Sequence, residues 1–530
     1  MTTADAVVVG AGPNGLVAAI ALADAGWDVT LVEANDTVGG AVASGEVTAP
    51  GFSSDLFSAF YPLAAASPVI RDLDLAAHGL VWRRAPDVVS HALEDGPAAV
   101  MHADPDRTAA ELDAAAAGDG AAWLDLCAGW QRVRDPLLDA LFTPFPPVVS
   151  GLRMARRLGL ADGLDFARLA VTPVRRLAKE RFRGDGPGLL LTGNAMHSDV
   201  PPDAAGSGVF GWLLAMLGQD VGFPVPEGGA GQLAQALRSR AESASVQVLT
   251  GARVTQVVVS GGRASGVRLA DGTLIKARHA VLADVTAPSL YEQLLSEHHL
   301  PPRLLRDLGR FQWDNATIKV NWALDRPVPW ADSRLAGSGT VHLGVDLDGF
   351  VDMAADLSVG RVPERPFLLF GQMATADPTR CPPGRETAWA YTHVPHGHDW
   401  SGSLLSEHVD RMQSAVERVA PGFGDTVLAR HVQSPQDLQH ADANLVDGAL
   451  NAGTSALHQE LVFRPTPGLG RAETPVTGLY LASASAHPGG GVHGACGWNA
   501  ARSALVAHGR TGVLHRAITR TAWARLLADH

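Results

Sequence analysis

The hydrophobic pattern near the start of the chain predicts a strand, a turn and a helix in close succession. Ala6–Val9 is a short apolar run rich in β-branched residues, and Leu16–Ala25 is an alanine-rich stretch typical of a buried helix. Gly26 ends that stretch, and the next apolar run, Val29–Glu33, predicts a second strand. The pattern therefore predicts a strand–helix–strand unit whose first turn spans residues 10–15.

The turn of this unit has the glycines that dinucleotide binding requires. It reads Gly10-Ala11-Gly12-Pro13-Asn14-Gly15. Gly10 permits the tight turn, Gly12 lets a pyrophosphate approach the backbone, and Gly15 lets the helix pack on the strand. Glu33 follows Gly15 by 18 positions and is placed to bond a ribose diol. A GxGxxG turn alone is weak evidence, but strand, helix, second strand and terminal acid occur here in order.

The residues after Glu33 distinguish FAD from NAD. Val38-Gly39-Gly40 follows within seven positions, and a glycine pair there lets the backbone run beside the second half of a cofactor. Up to Gly40, the segment resembles the extended fingerprint of FAD enzymes in the glutathione reductase superfamily. The beginning of the chain thus predicts FAD binding.

The far end of the chain repeats the strand–glycine–helix pattern. Gly478–Ala482 predicts a strand, His493–Ala507 predicts a helix, and Gly489-Gly490-Gly491 lies between them. A helix N-terminus preceded by glycines is an anion site, which would stabilise the negative charge of a reduced flavin. An ordinary glycine-rich loop is the alternative interpretation.

Two further elements lie between these ends. Pro226–Leu233 is rich in glycine and predicts the beginning of a helix. From Val246 to Ala283, apolar runs separated by Gly261-Gly262 and Asp271-Gly272 turns predict a β-meander.

The two ends together resemble the group that contains phytoene desaturases, carotenoid isomerases and pyridine nucleotide-disulphide oxidoreductase domain-containing protein 2. The resemblance spans essentially the whole chain, and its most specific part, Gly478–Ala501, is nearest to the last-named branch. One departure is visible, because Ser483 and Ser485 stand where the group often has glycines. A serine amide or hydroxyl can still donate a hydrogen bond to a pyrophosphate.

The resemblance implies an α/β fold: a Rossmann-like FAD-binding domain of the glutathione reductase superfamily with an inserted α+β substrate domain. The FAD-binding domain is expected in residues 1–65, 222–290 and 470–510, the substrate domain in residues 66–221 and 291–469, and a helical tail in residues 511–530. In this group, the backbone at the position of Val254 touches adenine. The residues expected at FAD are Gly10, Gly12, Pro13, Asn14, Gly15, Glu33, Ala34, Gly39, Gly40, Ala41, Val254, Ser483, Ala484, Gly490, Gly491 and Val492.

Lys319 is the first candidate catalytic residue. Only three of the 42 basic residues are lysines, and Lys319 lies in an apparent strand, Thr317–Leu324, whose alternation places it on one face with Thr317. The strand resembles the flavin amine oxidase strand whose lysine holds a water near flavin N5. One interpretation is a lysine that holds water for proton transfer or for reoxidation by oxygen. The other is an exposed lysine at a sheet edge.

Histidines supply the second candidate. His487 lies beside the proposed flavin-binding turn, where it either takes part in catalysis or only fixes the turn through its ring nitrogens. His393, His396 and His398 form a separate cluster. Prolines and glycines predict a loop there and no fourth ligand is evident, so a solvated cluster is favoured and no metal is expected.

The remaining residues are expected to hold the substrate. Residues 66–221 are rich in predicted helices, and residues 291–469 mix strands with helices. Their insertion into a dinucleotide domain places a cavity at the domain junction. Phe210, Trp212, Met216 and Phe223 are either the wall of that cavity or ordinary core.

Charge narrows the choice of partners. A formal net charge of −13 argues against a nucleic-acid partner, and a content of 46 % hydrophobic and 18 % charged residues is typical of a soluble globular protein. Within Arg153–Arg183, however, nine basic residues stand against three acidic ones. That segment is either a water-exposed helical face with its apolar side in the core or a peripheral contact with a membrane surface.

Cysteine use and the absence of long apolar runs predict a cytoplasmic protein. Cys127, Cys381 and Cys496 stand far apart, which excludes a CxxC redox pair and a disulfide framework. The chain runs from Met1 directly into a strand, and no apolar run in the sequence approaches the length of a membrane span.

These observations predict an FAD-dependent oxidoreductase of the desaturase or dehydrogenase type, which transfers a hydride from a small, largely apolar organic substrate to flavin. An FAD-dependent polyene isomerase, an amine oxidase, and a flavin-binding protein with a regulatory or partner-binding role are the alternatives. The tail Thr511–His530 carries an apolar stripe that is compatible with docking on the body of the protein or on a second subunit of a homo-oligomer.

Overall fold

The chain forms both helices and strands along residues 2–528, which are the residues that the computed structural model describes. The α-helices are α1 (Pro13–Asp24), α2 (Pro62–Ala66), α3 (Pro68–Arg71), α4 (Pro105–Ala115), α5 (Asp119–Phe142), α6 (Val148–Val171), α7 (Val174–Arg181), α8 (Asp185–Met196), α9 (Ser207–Val221), α10 (Gly231–Ser243), α11 (Pro302–Leu308), α12 (Leu347–Ser358), α13 (Met373–Ala376), α14 (Gly402–Val419), α15 (Phe423–Thr426), α16 (Pro435–Ala441), α17 (Ala495–His508) and α18 (Gly512–Leu526). The strands are β1 (Thr2–Val9), β2 (Val29–Val32), β3 (Ser44–Gly45), β4 (Ser54–Asp55), β5 (Trp82–Arg83), β6 (Asp87–His91), β7 (Ala99–His102), β8 (Val225–Pro226), β9 (Gln247–Leu249), β10 (Val254–Ser260), β11 (Arg263–Leu269), β12 (Leu274–Ala283), β13 (Ala316–Leu324), β14 (Ser338–Leu343), β15 (Leu368–Gln372), β16 (Glu386–Val394), β17 (Val427–Gln433) and β18 (Leu479–Leu481).

Shorter helical turns complete the chain. A π-helical turn spans Ser289–Leu294, and 3-10 helices span Leu75–His78, Glu297–His299, Ser333–Gly337, Pro378–Arg380, Val446–Gly448, Leu457–Gln459 and Leu461–Phe463. The first residue of the expected FAD-binding domain and the last two of the expected tail lie outside the described residues.

The first large sheet is built around β1. Its strand order is β10–β11–β12–β1–β2–β9, and β18 also pairs with β12. β1 is parallel to β2 and β12, so that Val7 lies beside Thr30 on one side and Val281 on the other. Helix α1 follows β1 and packs against α10 and α17. The predicted strand–helix–strand unit is confirmed.

The predicted β-meander is correct for three of its four strands. β10, β11 and β12 are antiparallel neighbours, but β9 pairs in parallel with β2 at the opposite edge of the sheet. β12 is long because it pairs in parallel with β1 along most of its length, while on its other side its first residues pair with β11 and its buried end pairs in parallel with β18. The prediction is wrong for Val246–Leu249 because β9 follows α10, and such a crossover places a strand parallel to its neighbour.

The second large sheet has the order β17–β13–β16–β15–β14–β6–β7. Strand β13 is interior, with antiparallel neighbours on both sides, and all nine of its residues are buried. β6 and β7 come from residues 66–221, which the sequence predicts to be rich in helices. That segment therefore supplies strands to the second sheet as well as helices α4 to α9. With helices packed on two sheets, the protein has a mixed α/β fold.

Helices α5, α6 and α9 pack against one another beside the two sheets. Phe166 of α6 contacts Trp212 of α9, with ring centroids 6.0 Å apart. α6 is divided at Gly159, whose φ of 67° and ψ of −162° are not helical. None of the helices within residues 2–528 is long and apolar enough to cross a bilayer.

Candidate functional site

A cavity of about 920 Å³ is lined by residues of both large sheets. Its wall includes Gly10 and Gly12 of the β1–α1 turn, Gly490 from the far end of the chain, and Lys319 of β13. The glycine turns at the two ends of the sequence therefore converge on one cavity, as the sequence predicts.

Most of the residues expected at FAD lie on this cavity. The lining residues are Gly10, Gly12, Pro13, Asn14, Glu33, Ala34, Gly40, Ala41, Val254, Ser483, Ala484, Gly490, Gly491 and Val492. Gly15 and Gly39 do not line it. The Gly15 N–H donates to Asp284 Oδ2 at 2.8 Å, and the Gly39 N–H donates to the Ala11 carbonyl oxygen at 2.9 Å. These two glycines lie behind the cavity wall and hold the turn through their backbone hydrogen bonds.

The N-terminus of α1 fits a phosphate group. Gly12 is the N-cap residue, and no side chain caps the helix there. The first-turn amides of a helix carry a partial positive charge, so an uncapped N-terminus at a cavity wall is an anion site. Asn14 adds a buried acceptor, Oδ1, that has no hydrogen-bond partner among the described residues. The uncapped helix N-terminus fits a cofactor pyrophosphate, whereas the Asn14 Oδ1, an acceptor, fits a hydrogen-bond donor such as a hydroxyl of the same cofactor.

Glu33 is held in position by the backbone. Its Oε2 accepts the Ala11 N–H at 2.7 Å, and its Oε1 accepts the Asn35 N–H at 2.8 Å. Each carboxylate oxygen can accept a second hydrogen bond. The oriented carboxylate is therefore able to accept the two hydroxyls of a ribose, which is the role that the sequence predicts.

A buried carboxyl group, Asp284, and a half-buried one, Asp442, lie at the same cavity and are absent from the sequence-based prediction. Asp284 lines the cavity directly after β12, and Asp442 Oδ2 would lie 3.2 Å from a Cβ at Gly40. Burial raises the pKa of Asp284 to about 8, and the charges of Asp442 and Glu33 act in the same direction. Burial and the charge of Glu33 raise the pKa of Asp442 to about 6. A proton on these groups reduces repulsion of an anionic phosphate.

The sequence contains a signal for the position of Asp284. It is the first residue beyond the buried strand β12, at the carboxyl edge of parallel strands, where open α/β sheets bind their ligands. Asp442 has no comparable signal, because it follows a short helix, α16, in a segment without a motif.

The raised pKa of Asp284 makes the apoprotein less stable as pH rises. The unfolded chain releases this proton near pH 4, but the folded chain holds it up to about pH 8, so the free energy of unfolding falls between these values. We expect Asp284→Asn to be more stable than the parent by about 1 to 3 kcal/mol at pH 8 and to lose this advantage near pH 4. Urea unfolding of the FAD-free protein across this range measures the difference.

Asp36→Asn is the matched control, because Asp36 is exposed and its substitution should not change the slope of stability against pH. A difference between Asp284→Asn and the parent that is the same at both ends of the pH range would contradict the prediction.

Lys319 is buried in an interior strand of the second sheet, β13. Its Nζ donates to the Phe57 carbonyl oxygen at 2.6 Å and lies 4.8 Å from the centroid of the Trp389 ring. Burial lowers the pKa of Lys319 to about 7. The interpretation as an exposed lysine at a sheet edge is wrong, because β13 has a strand on either side and the lysine is 3 % exposed.

The alternation predicted along β13 is confirmed. Thr317 and Lys319 line the cavity, whereas Ile318 and Val320 belong to a hydrophobic core on the other face. Lys319 therefore faces the cavity because side chains alternate between the two faces of a strand.

The structure does not bring His487 to the cavity wall. Its ring packs edge-on against Phe145 with centroids 6.4 Å apart, and burial lowers its pKa to about 4. His493 lines the cavity instead. The His493 Nδ1 accepts the Ala495 N–H at 3.0 Å and so caps α17. The helix predicted from about His493 to Ala507 is observed as α17, which begins two residues later, at Ala495, so three residues separate the glycine run from the helix.

The histidines 393, 396 and 398 have separate partners. His393 lies in β16 and is buried, which corrects the prediction that all three lie in a loop. The His396 Nδ1 lies 3.0 Å from the Asp447 carboxylate, and the His398 Nε2 lies 3.0 Å from the Gly360 carbonyl oxygen. Across residues 2–528, no group of three or more His, Cys, Asp or Glu residues is arranged to hold a metal ion.

One face of α9 forms an apolar wall of the cavity. The lining side chains of this helix follow helical spacing: Phe210, Leu213, Leu214 and Leu217. Phe223 and Leu141 extend the wall, whereas Trp212 and Met216 face the hydrophobic core. Two of the four candidate wall residues thus lie on the cavity.

Aromatic residues that the sequence does not single out lie next to Lys319. Trp389 and Tyr391 of β16 line the cavity as a parallel stack, with centroids 6.0 Å and planes 15° apart. They lie on the strand beside β13, and strand pairing of this kind is set by the tertiary structure. No local pattern identifies them.

Comparison with known proteins identifies a family model and several proteins that are similar to this chain. The family model described as "Flavin containing amine oxidoreductase" matches residues 14–505. Pyridine nucleotide-disulfide oxidoreductase domain-containing protein 2 of Mus musculus is 29 % identical over 94 % of this chain and 92 % of its own length. One of the subunits of limonene dehydrogenase from Castellaniella defragrans is 24 % identical over 94 % of either chain. An oxidoreductase structure from Methanosarcina mazei, 17 % identical, covers 95 % of this chain and 100 % of its own with a TM-score of 0.60.

Proposed function

The chain belongs to the flavin containing amine oxidoreductase family and is an FAD-dependent oxidoreductase, and from this premise we propose that it dehydrogenates a small, largely apolar organic substrate. One observation carries the proposal: a single cavity combines the dinucleotide-binding turn, the apolar wall from α9 and the buried lysine Lys319. A relative that matches over nearly its whole length is named as part of a limonene dehydrogenase, and limonene is a hydrocarbon.

We also propose a division of the chain into two domains. The first sheet with α1, α10 and α17 would form a Rossmann-like FAD-binding domain of the glutathione reductase type, in residues 1–65, 222–290 and 470–510. The parallel strands β2, β1 and β12, flanked by helices, support this assignment. The second sheet with helices α4 to α9 would form the substrate domain.

Specific residues would hold FAD in this proposal. Gly10, Gly12 and Asn14 would hold the pyrophosphate, Glu33 the ribose, and the backbone at Val254 the adenine. Ser483, Ala484, Gly490, Gly491 and Val492 would contact the other half of the cofactor. When bound, FAD supplies an acceptor for a hydride from the substrate.

The chain's own groups position the substrate and handle its proton. The apolar side chains of α9 bind the substrate and exclude water from the cavity. The carbonyl oxygen of Phe57 holds the Lys319 amine in place. Because its pKa is lowered to about 7, that amine can accept a proton from the substrate or from water near neutral pH.

Anaerobic titration of the purified protein tests the proposal. We expect the absorption spectrum of FAD, bleaching of the flavin by monoterpene or polyene hydrocarbons, and a product two hydrogens lighter than the substrate. Bleaching by primary amines alone would indicate an amine oxidase, and a product of unchanged mass would indicate an isomerase. A bound flavin that no candidate bleaches would overturn the proposal.

Leu213→Asp probes the apolar wall. A carboxylate at this position places a charge among apolar side chains, so we expect bleaching by apolar substrates to slow at least tenfold, since one buried leucine contributes about 1.5 to 3 kcal/mol. FAD absorbance should be retained. Leu428→Asp, at a position of β17 that is 49 % exposed, is the control and should bleach at the parent rate. Equal rates in Leu213→Asp and the parent would contradict the assignment of α9 as the substrate wall.

A further inference from the structure

Helix α6 exposes an unusual amount of apolar surface. Its other side packs inward through Met154, Leu158, Phe166 and Leu169, which contact the hydrophobic core. We call the outer side the α6 face, and its apolar members are Val148, Val149, Leu152, Leu160, Leu164 and Val171, which are 55 % to 83 % exposed. The expectation that the apolar side of this segment is buried in the core therefore describes only half of the helix. A cluster of exposed apolar side chains marks a surface that contacts something other than water.

The α6 face consists of two parts, one on either side of Gly159. Val148, Val149 and Leu152 lie on one side of the part before Gly159, and Leu160, Leu164 and Val171 lie on one side of the part after it, since residues three, four or seven positions apart share a side of a helix. Both parts of the helix therefore expose apolar side chains to solvent in addition to those that pack against the core.

The charge around the α6 face is positive, although the chain as a whole is negative. Residues 119–183, which span α5 to α7, hold eleven basic and seven acidic residues in a chain of net charge −13. Arg153, Arg157 and Arg168 border the face, and about half or more of each side chain is exposed although each lies near a carboxylate. The exposed pairs of Arg153 and Arg157 are weak and can be exchanged for other anions, whereas Arg168 is held by two hydrogen bonds to Glu180.

We propose that the α6 face docks on the surface of an anionic lipid bilayer. The apolar side chains would enter the boundary between headgroups and acyl chains, and the arginines would contact lipid phosphates. The exposed leucines match the apolar interior of a bilayer, and the bordering arginines match the negative charge of its headgroups. A second copy of the chain fits less well, because a two-fold contact would place the same arginines opposite one another.

The position of α6 links the proposed bilayer contact to the substrate cavity. α6 packs on α5 and α9, and these two helices supply Leu141, Leu213 and Leu214 to the cavity wall. A bilayer on the α6 face would therefore contact the helix that packs on the apolar side of the substrate cavity. This consequence rests on the proposed apolar substrate, whereas the docking itself rests only on the exposure and charge of the α6 face.

Co-sedimentation of the full chain with vesicles tests the docking. We expect binding to phosphatidylcholine vesicles that contain phosphatidylglycerol, weak binding to phosphatidylcholine alone, and release by salt. Leu160→Asp with Leu164→Asp should reduce binding at least tenfold, because both changes remove apolar surface that would otherwise leave water and add charge that anionic lipids repel. Both positions are on the surface, so the far-UV circular dichroism and the FAD absorbance should match the parent.

Val359→Asp is the matched control. Val359 follows α12, far along the chain from α6, and is 63 % exposed, so the same change there should leave vesicle binding unaltered. Absence of binding to anionic vesicles, or equal binding by the α6 double variant and the parent, overturns the proposal. A dimer in light scattering that the double variant dissolves, without vesicle binding, overturns it in favour of self-association. The assay contains no substrate, so it is independent of the dehydrogenase proposal.

Discussion

Gly12→Ala is expected to weaken FAD binding about 100-fold, or by about 2.7 kcal/mol, while leaving the chain folded. Gly12 has φ −67° and ψ 175°, which alanine adopts without strain, and a Cβ there would approach only the Asp284 carboxylate, at 3.0 Å from Oδ2. The added methyl group would occupy the cavity wall where a phosphate must approach the backbone. Titration of the FAD-free protein with FAD, followed by flavin fluorescence, measures the loss.

Two other glycine variants separate binding from folding. In Gly15→Ala the new Cβ would overlap the Gly10 carbonyl oxygen, so the turn itself must break and both Tm and FAD binding should fall. In Gly129→Ala the nearest atom lies 4.0 Å away within α5, so stability should stay equal or rise by up to about 1 kcal/mol with full FAD binding. A Gly12→Ala protein with the parent's affinity for FAD would show that the cofactor lies elsewhere.

Lys319→Met is expected to lower kcat about 100- to 1000-fold without loss of FAD. Methionine fills a similar volume but holds no proton, whereas the parent amine has a pKa of about 7. The amine accepts protons only when it is unprotonated, so the parent's kcat should rise as pH increases through 7, and this rise should be absent in the variant. Lys319→Arg should not restore activity, because a guanidinium keeps its proton throughout this range. Steady-state rates across pH, with FAD content measured by absorbance, test both points.

Lys276→Met is the control for this experiment. Lys276 also lies in a strand, β12, but its side chain is exposed, so its removal should change neither kcat nor the pH profile. If Lys319→Met kept the parent's kcat and pH profile, the amine would have a structural role only, as a donor to the Phe57 carbonyl oxygen.

Much of the FAD site was open to prediction because its signals are short in sequence. The turn depends on a positive φ at Gly10 and on the close approach of Gly15 to the Gly10 carbonyl oxygen, both within six residues, and Glu33 directly follows the strand beside it. The two residues of that prediction that miss the cavity wall, Gly15 and Gly39, lie directly behind it. Signals of this kind involve residues that are close in sequence, so they can be interpreted without knowledge of the rest of the fold.

The substrate side of the site was not open to prediction in the same way. Trp389 and Tyr391 meet Lys319 because β16 pairs with β13, and the pairing joins residues about 70 positions apart. The sequence predicts a catalytic or turn-fixing role for His487 because it lies next to the glycine run. In the structure its ring packs against Phe145 and does not line the cavity. Adjacency in sequence does not decide the direction of a side chain in an irregular segment.

Glycine placement and strand period act over a few residues, so the strand–helix–strand unit, the choice of FAD and the face of β13 on which Lys319 lies follow from the sequence alone. The position of β9 at the far edge of its sheet, the burial of Lys319 between neighbouring strands, and the approach of Asp284 and Asp442 to one cavity depend on tertiary packing. Burial and the pKa shifts that follow from it depend on which distant segments pack together. The same holds for the α6 face, whose leucines are apolar in any fold but exposed only because no other described segment covers them.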